Sequence, residues 1–221
     1  SAGMIDAAVV GGVDSLCLTT LYGFHSLQLT SRLPCRPFDV ARDGISIGEA
    51  AAFVLLERPS ARPHGSAAML LGTGESSDAY HMSSPHPEGR GARASIQQAL
   101  TAANLAPGDI DYINLHGTAT VSNDSAEDLA VTSVFGTQTP CSSTKGATGH
   151  ALGAAGALEA VICALAIEHE FMPGGLSTTA VDPKLNLHYL RENRRGRIRH
   201  VLSNSFGFGG ANCSLIFGRP A

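Results

Sequence analysis

The chain has 221 residues, 43% of them apolar and 15% charged, with a net charge of −4. That supplies enough apolar sequence to bury a substantial core in one large domain or two small ones, and it excludes a disordered or fibrous chain. No basic run is long enough for a nucleic-acid footprint and no apolar run is read as a membrane span, so neither is an expected partner.

The opening "SAGMIDAAVVGG" lacks an initiator Met and reads as the middle of a larger domain. Within it "DAAVVGG" is a short apolar run closed by glycines, which predicts a buried strand. "LTTLYGFHSLQL" has mixed spacing and predicts a helix, and the Pro-, Asp- and Gly-rich "CRPFDVARDGISIGEA" predicts a loop. "AAFVLLE" and "AAMLLGTGES" are strand-like; parted by "RPSARPHGS", they are expected to form a hairpin. "DAYHMSSPHPEGRG" is a long loop of the kind that is often functional.

From there the pattern alternates. "ARASIQQALTAANL" is an amphipathic helix, and "DIDYINLHG" a strand leading into His116. "NDSAEDLAVTSVFG" is a helix with an Asn or Asp cap and acids in its first turn, and "TPCSST" a short strand. "GHALGAAGALEAVICALAIEHE" is a long helix with small residues, and "RIRHVLSNSFGFGGANCSLIF" two strands around a glycine turn. This β-α-β-α-β-β order predicts a layered α/β sheet. "RENRRGRIRH" reads as a solvated loop, with a docking patch for an acidic partner as the other reading.

Five cysteines, at 17, 35, 141, 163 and 213, are odd in number and form no C-x-x-C pair. This argues against a disulfide framework or a zinc ribbon and fits a reducing cytoplasm; each is expected to be a small buried hydrophobe.

His116 falls at the C-terminal end of a predicted strand, the edge where open α/β sheets bind ligands, though a histidine before glycine can also just satisfy backbone groups. His150 opens the predicted long helix, where the dipole favours a neutral ring; it can equally be a cap. Lys145 stands among small residues with Glu159 as its nearest candidate partner, the alternative being an exposed loop lysine. Phe206 and Phe208 between glycines suit either a gate over a pocket or a tight hairpin with two core aromatics. "GHALGAAG" is not G-x-G-x-x-G, "GATGHALG" is not a P-loop, and no G-x-S-x-G occurs, so neither a nucleotide cofactor nor an α/β-hydrolase is supported.

Taken together, "PFDVARDGISIGEAAAFVLLE", "SSDAYHMSSPHPEGRG", "IDYINLHGTAT" with "NDSAED", "SSTKGATGHALGAAGALEA" and "LSNSFGFGGANCSLIF" resemble, in family order, the C-terminal half of a β-ketoacyl-[acyl carrier protein] synthase. The resemblance implies a thiolase-like fold of layered αβαβα type, with residues 1–90 closing the N-terminal half and 91–221 forming the C-terminal half. It implies that His116 and His150 are the active-site histidines, Lys145 the structural-catalytic lysine and Glu159 its ion-pair partner. Asp124 and Glu127 are implied as supporting acids, Thr118 and Thr120 as contacts to a phosphopantetheine arm. Phe206, Phe208 and Gly209 are implied to shape the substrate gate, the Phe208 N–H aiding an oxyanion hole. No cofactor or metal is implied. The expected partners are acyl carrier protein and a second, identical or related, subunit.

The same resemblance places the nucleophilic cysteine upstream of Ser1 and gives it to none of the five present. It follows that the leading strand and helix should expose apolar surface. Two other functions stay open: a non-catalytic partner subunit of the chain-length-factor kind, and a metal-dependent hydrolase using His116, His150, Asp124 and Glu127. Retention of both histidines and the lysine speaks against the first, and the lack of a familiar ligand spacing against the second.

Overall fold

A computed structural model describes residues 5–58 and 68–219. Ten strands and five helices alternate along it. They are β1 (Ala7–Asp14), α1 (Leu18–Ser26), β2 (Ala50–Glu57), β3 (Met69–Ser77), α2 (Arg90–Ala103), β4 (Tyr112–Asn114), α3 (Val121–Phe135) and β5 (Pro140–Ser142). There follow α4 (Lys145–Thr148), α5 (Ala155–His169), β6 (Phe171–Met172), β7 (His188–Tyr189), β8 (Arg194–Arg195), β9 (His200–Gly207) and β10 (Ala211–Gly218).

The core is a six-stranded sheet in the order β3-β10-β9-β4-β5-β7. β3, β10 and β9 are antiparallel, while β9, β4, β5 and β7 run parallel. Side chains alternate across a strand, so each strand feeds two cores. Ile113, Leu202 and Ile216 pack with Ile96, Ala99 and Leu100 of α2 and Val131 of α3. Their neighbours Tyr112, Val201 and Phe217 pack on the other face with Cys163, Ala166 and Ile167 of α5.

α5 also packs against β1 and β2, which form a separate antiparallel pair. It therefore lies between two sheets, which is why it is apolar all round rather than on one stripe. The 18-residue stretch Leu152–His169 does reach spanning length and apolarity, contrary to the sequence expectation. Glu159 and Cys163 are buried within it against the sheet, which marks a core helix.

One sequence expectation about strand pairing is corrected here. β2 and β3 do not form a hairpin: β2 pairs with β1, Ala7 opposite Glu57, and β3 pairs with β10. The period-2 pattern identifies strands but not their partners. The intervening "RPSARPHGS" lies, apart from Arg58, outside the described residues. β3 and α2 pack together on the six-stranded sheet, where β3 pairs with β10.

β1 keeps a strand partner, yet Val9 is 72% and Phe53 60% exposed and α1 buries no residue, so the expected apolar surface is present. Of the cysteines, 35, 141 and 163 are buried as expected; Cys17 is exposed and Cys213 half-buried.

Candidate active site

The parallel strands converge at their C-terminal ends on a cavity of about 620 Å³. His116, His150, Thr118, Thr120, Phe206 and Phe208 line it. Lys145, Glu159, Asp124 and Glu127 stand behind this wall and act on it from the buried side. Gly209 does not line the cavity; with φ of 81° it turns the chain and donates its N–H to Met82 O at 2.8 Å.

His116 follows β4 on a loop held by two buried carboxylates. Glu127 accepts the N–H of His116 and of Gly117, each at 2.8 Å, and the amide of Asn204 at 3.2 Å. Asp124 accepts the N–H of Phe38 at 2.8 Å, Thr118 at 3.1 Å and Ala119 at 3.2 Å. Arg42 stands 3.6 Å from Asp124 and pairs with Asp182 at 2.7 Å. Burial raises the Glu127 carboxyl to about 7 and that of Asp124 to about 6, against the lowering pull of these donors. Gly117, at φ +36°, has no room for a side chain: a Cβ would lie 2.5 Å from that of Ser143.

His150 is fixed differently. Its N–H donates to Ser46 O at 2.7 Å and its carbonyl accepts from Gly48 at 3.0 Å, a one-residue bridge to the 46–48 segment. The approach is close enough that a Cβ on Gly149 would meet Gly48 Cα at 3.0 Å. This is what the small residues around His150 accomplish: two backbones touch and the ring is left facing the cavity.

Helix α5 begins five residues beyond His150, so the helix dipole is not what acts on the ring. Burial, and secondarily the charge of Lys145, lowers the His150 pKa to about 3. Burial, then Lys145, then His150 hold His116 well below the usual histidine range. Both rings are neutral at physiological pH.

The rings meet edge to face, with centroids 5.3 Å apart and planes at 80°. Each has a donor at Nδ1: Lys145 Nζ lies 3.4 Å from that of His116, and the Leu152 N–H donates to that of His150 at 3.3 Å. A neutral imidazole with a donor at Nδ1 carries its proton on Nε2. Phe206 packs beside His116 at 5.8 Å. Phe208, 49% exposed, stacks on Phe24 at 5.6 Å.

Lys145 is 1% exposed. Its ammonium donates to His116 O at 2.6 Å, faces His116 Nδ1 and forms an ion pair with Glu159 Oε1. All three of its protons are thus used. Burial raises the Glu159 pKa and the Lys145 charge pulls against it. Sequence reasoning missed Asn204, Arg42 and Asp39. Asn204 lies within a quoted motif, and the other two belong to "PFDVARDG", whose Arg and Asp residues in a Pro/Gly loop were the available signal.

Residues 67–179 match the family model for the β-ketoacyl synthase C-terminal domain, and residues 1–62 that for the β-ketoacyl synthase N-terminal domain. The chain belongs to the β-ketoacyl synthase family. The two matches meet between residues 62 and 67, just ahead of β3. This β-ketoacyl synthase chain is 37% identical to 3-oxoacyl-[acyl-carrier-protein] synthase 2 of Mycobacterium tuberculosis, over 98% of this chain and 55% of that protein. It is 39% identical to the mitochondrial 3-oxoacyl-[acyl-carrier-protein] synthase of Arabidopsis thaliana, over 97% of this chain and 50% of that protein.

Among solved structures it resembles the ketosynthase ApeO in complex with its chain length factor ApeC from Xenorhabdus doucetiae. There the TM-score is 0.93 at 48% identity, covering 99% of this chain and 54% of that one. The ishigamide ketosynthase/chain length factor gives a TM-score of 0.94 at 36% identity, over 100% and 55%. The chain spans about half the length of the relatives it matches. These matches agree with the thiolase-like fold expected from sequence.

Proposed function

We propose that the polypeptide carrying this chain catalyses decarboxylative condensation of a malonyl-[acyl carrier protein] with an enzyme-bound acyl thioester, in fatty acid or polyketide synthesis. The observation that carries this reading is the pair of neutral imidazoles, each with Nδ1 occupied, leaving two Nε2–H donors at one cavity. When the malonyl C–C bond breaks and carbon dioxide leaves, its electron pair moves into an enolate whose charge rests on the thioester oxygen. Two uncharged N–H donors aimed at that oxygen stabilise the charge as it develops without protonating it. The enolate carbon then attacks the acyl thioester carbonyl and expels the enzyme thiolate.

Lys145 is a positioning residue in this account. It holds the carbonyl and Nδ1 of His116 while Glu159 balances its charge. None of the five cysteines suits the acyl-carrying role. Cys213 alone lines the cavity, and its thiol pKa is raised, first by burial and then by Glu75, opposite to what a nucleophile needs. This reading assigns the thiol to the additional length of the relatives.

The substrates would arrive on a phosphopantetheine arm, passing Thr118 and Thr120, and no resident cofactor or metal is required. Pairing with a second ketosynthase-like subunit and a cytoplasmic setting complete the reading. Against the metal-hydrolase alternative, Glu127 and Asp124 already accept backbone N–H groups. Retention of His116, His150 and Lys145 in working geometry supports a catalytic subunit over a chain-length-factor-like one.

The test is release of labelled carbon dioxide from malonyl-[acyl carrier protein] by the full-length protein. His116→Ala and His150→Ala should each lower it. If the full-length protein releases none, or both variants retain the parent rate, the reading is wrong.

A further inference from the structure

The opposite pole of the sheet carries a feature that the condensing site does not use. Five of the chain's 15 Lys and Arg residues fall within 191–199, against one of its 19 acids. The segment is thus strongly cationic on a chain that is acidic elsewhere. Arg191, Arg194, Arg195, Arg197 and Arg199 are all exposed. No carboxylate among the described residues pairs with Arg194, Arg197 or Arg199.

Of the nearby acids, Glu192 is exposed within the segment itself, while Asp111 and Glu170 are engaged. Asp111 accepts the N–H of Arg199 at 2.7 Å and of His200 at 3.0 Å, and Glu170 pairs with Arg219 at 3.1 Å. Arg194 and Arg197 border a shallow cleft of about 400 Å³, whose floor includes Asp111, Gln138, Thr139 and Met172.

The cleft lies at the N-terminal ends of β4, β5 and β9, whereas the histidine cavity lies at their C-terminal ends. The β9 residues 200–204, which line neither, separate the two by about 17 Å. An occupant of the cleft therefore does not enter the cavity.

We propose that this arginine surface docks an acidic segment of a partner protein. Guanidinium groups offer a planar fork that matches carboxylates two bonds at a time, and all five cations are Arg rather than Lys. Among the described residues the surface lacks what other polyanions require. Its one phenylalanine, Phe171, is covered by the Arg195 guanidinium at 6.0 Å, and the exposed His188 ring is tied to Gln138 O at 3.0 Å, which leaves no free run of rings for base stacking. Leu176, 66% exposed, is the one large apolar side chain exposed between residues 171 and 207, too little to enter a bilayer, and Leu187, Tyr189 and Ile198 point inward.

The experiment measures binding of fluorescein-labelled poly-L-glutamate to the full-length protein by anisotropy, at low and at raised salt. The probe should bind, and binding should weaken as salt is added. The exposed triple variant Arg194→Gln/Arg197→Gln/Arg199→Gln should bind on the order of tenfold more weakly while keeping its decarboxylation rate. Arg32→Gln/Arg90→Gln/Arg93→Gln, which removes the same charge elsewhere, should leave the affinity unchanged. Failure to bind, equal loss in both triple variants, or tighter binding of a single-stranded RNA oligomer or of phosphatidylserine vesicles at the same ionic strength would overturn the proposal.

Discussion

Removing the ammonium of Lys145 tests the buried scaffold directly. In Lys145→Met the Glu159 carboxylate loses its counter-ion while 2% exposed, and its second oxygen already has no partner among the described residues. Stranding a buried charge in this way costs about 3–5 kcal/mol. The His116 carbonyl also loses its donor, which costs about 1–2 kcal/mol. In Lys145→Met/Glu159→Met only the second loss remains, because both charges are gone and the volumes are kept. The double variant should therefore recover at least about 2 kcal/mol of what the single variant loses.

The stability of Lys145→Met should also fall as pH rises from 5 to 8. Glu159, with a folded pKa above its unfolded value, is tolerated protonated and penalised when ionised. Urea unfolding of the full-length protein and both variants reads these differences. Decarboxylation should stay depressed in both, since neither restores the donor at His116 Nδ1. A single variant within 0.5 kcal/mol of the parent, by the usual precision of exposed-site substitutions of about that size, or a double variant no more stable than the single, would refute the pairing.

His116→Ala and His150→Ala should each slow carbon dioxide release on the order of a hundredfold with little change in carrier-protein affinity, as measured by initial rates and titration. The His150 ring, with a folded pKa of about 3 against about 6.5 when unfolded, contributes stability that is present above pH 6.5 and lost as pH falls towards 3. Glu127 and Asp124 act in the opposite sense between about pH 4 and 7, because burial raises their pKa values. Comparing urea midpoints of the parent with His150→Phe from pH 7.5 to 4.5 cancels that contribution, and the parent should be the more acid-sensitive of the two. Glu127→Gln should lose about 1–3 kcal/mol, since an amide cannot accept from the N–H of both His116 and Gly117; circular-dichroism melts would show it.

Much of the site was legible in sequence because its motifs are local. The "HGTAT" turn, the "TKGATGH" segment and the "FGFGG" turn each carry their residues to the cavity within a few positions. Lys145 and Glu159 could be paired by reading one segment and the helix that follows it. What escaped was set by distant contacts. β1 finds β2 across more than 30 intervening residues, so a pattern of period two suggested the wrong hairpin. His150 is neutral as expected, but through burial and Lys145 rather than a helix terminus, which depends on a boundary that propensity places poorly. Arg42 and Asp39 sit in a stretch that reads as loop. Their value appears only where Asp124 and the 179–182 segment meet them. Cys17, placed by its composition among the buried thiols, lies in solvent at the start of α1.

The proposed decarboxylation depends on the protonation of two rings. Nitrogen-15 spectra of the histidine-labelled full-length protein at neutral pH, with His116→Phe and His150→Phe used for assignment, report which ring nitrogen bears a proton. Both residues should be uncharged, with hydrogen on Nε2 and a bare, hydrogen-bond-accepting Nδ1. A doubly protonated ring, or hydrogen on Nδ1 at either residue, would remove the paired donors from the cavity and contradict the mechanism.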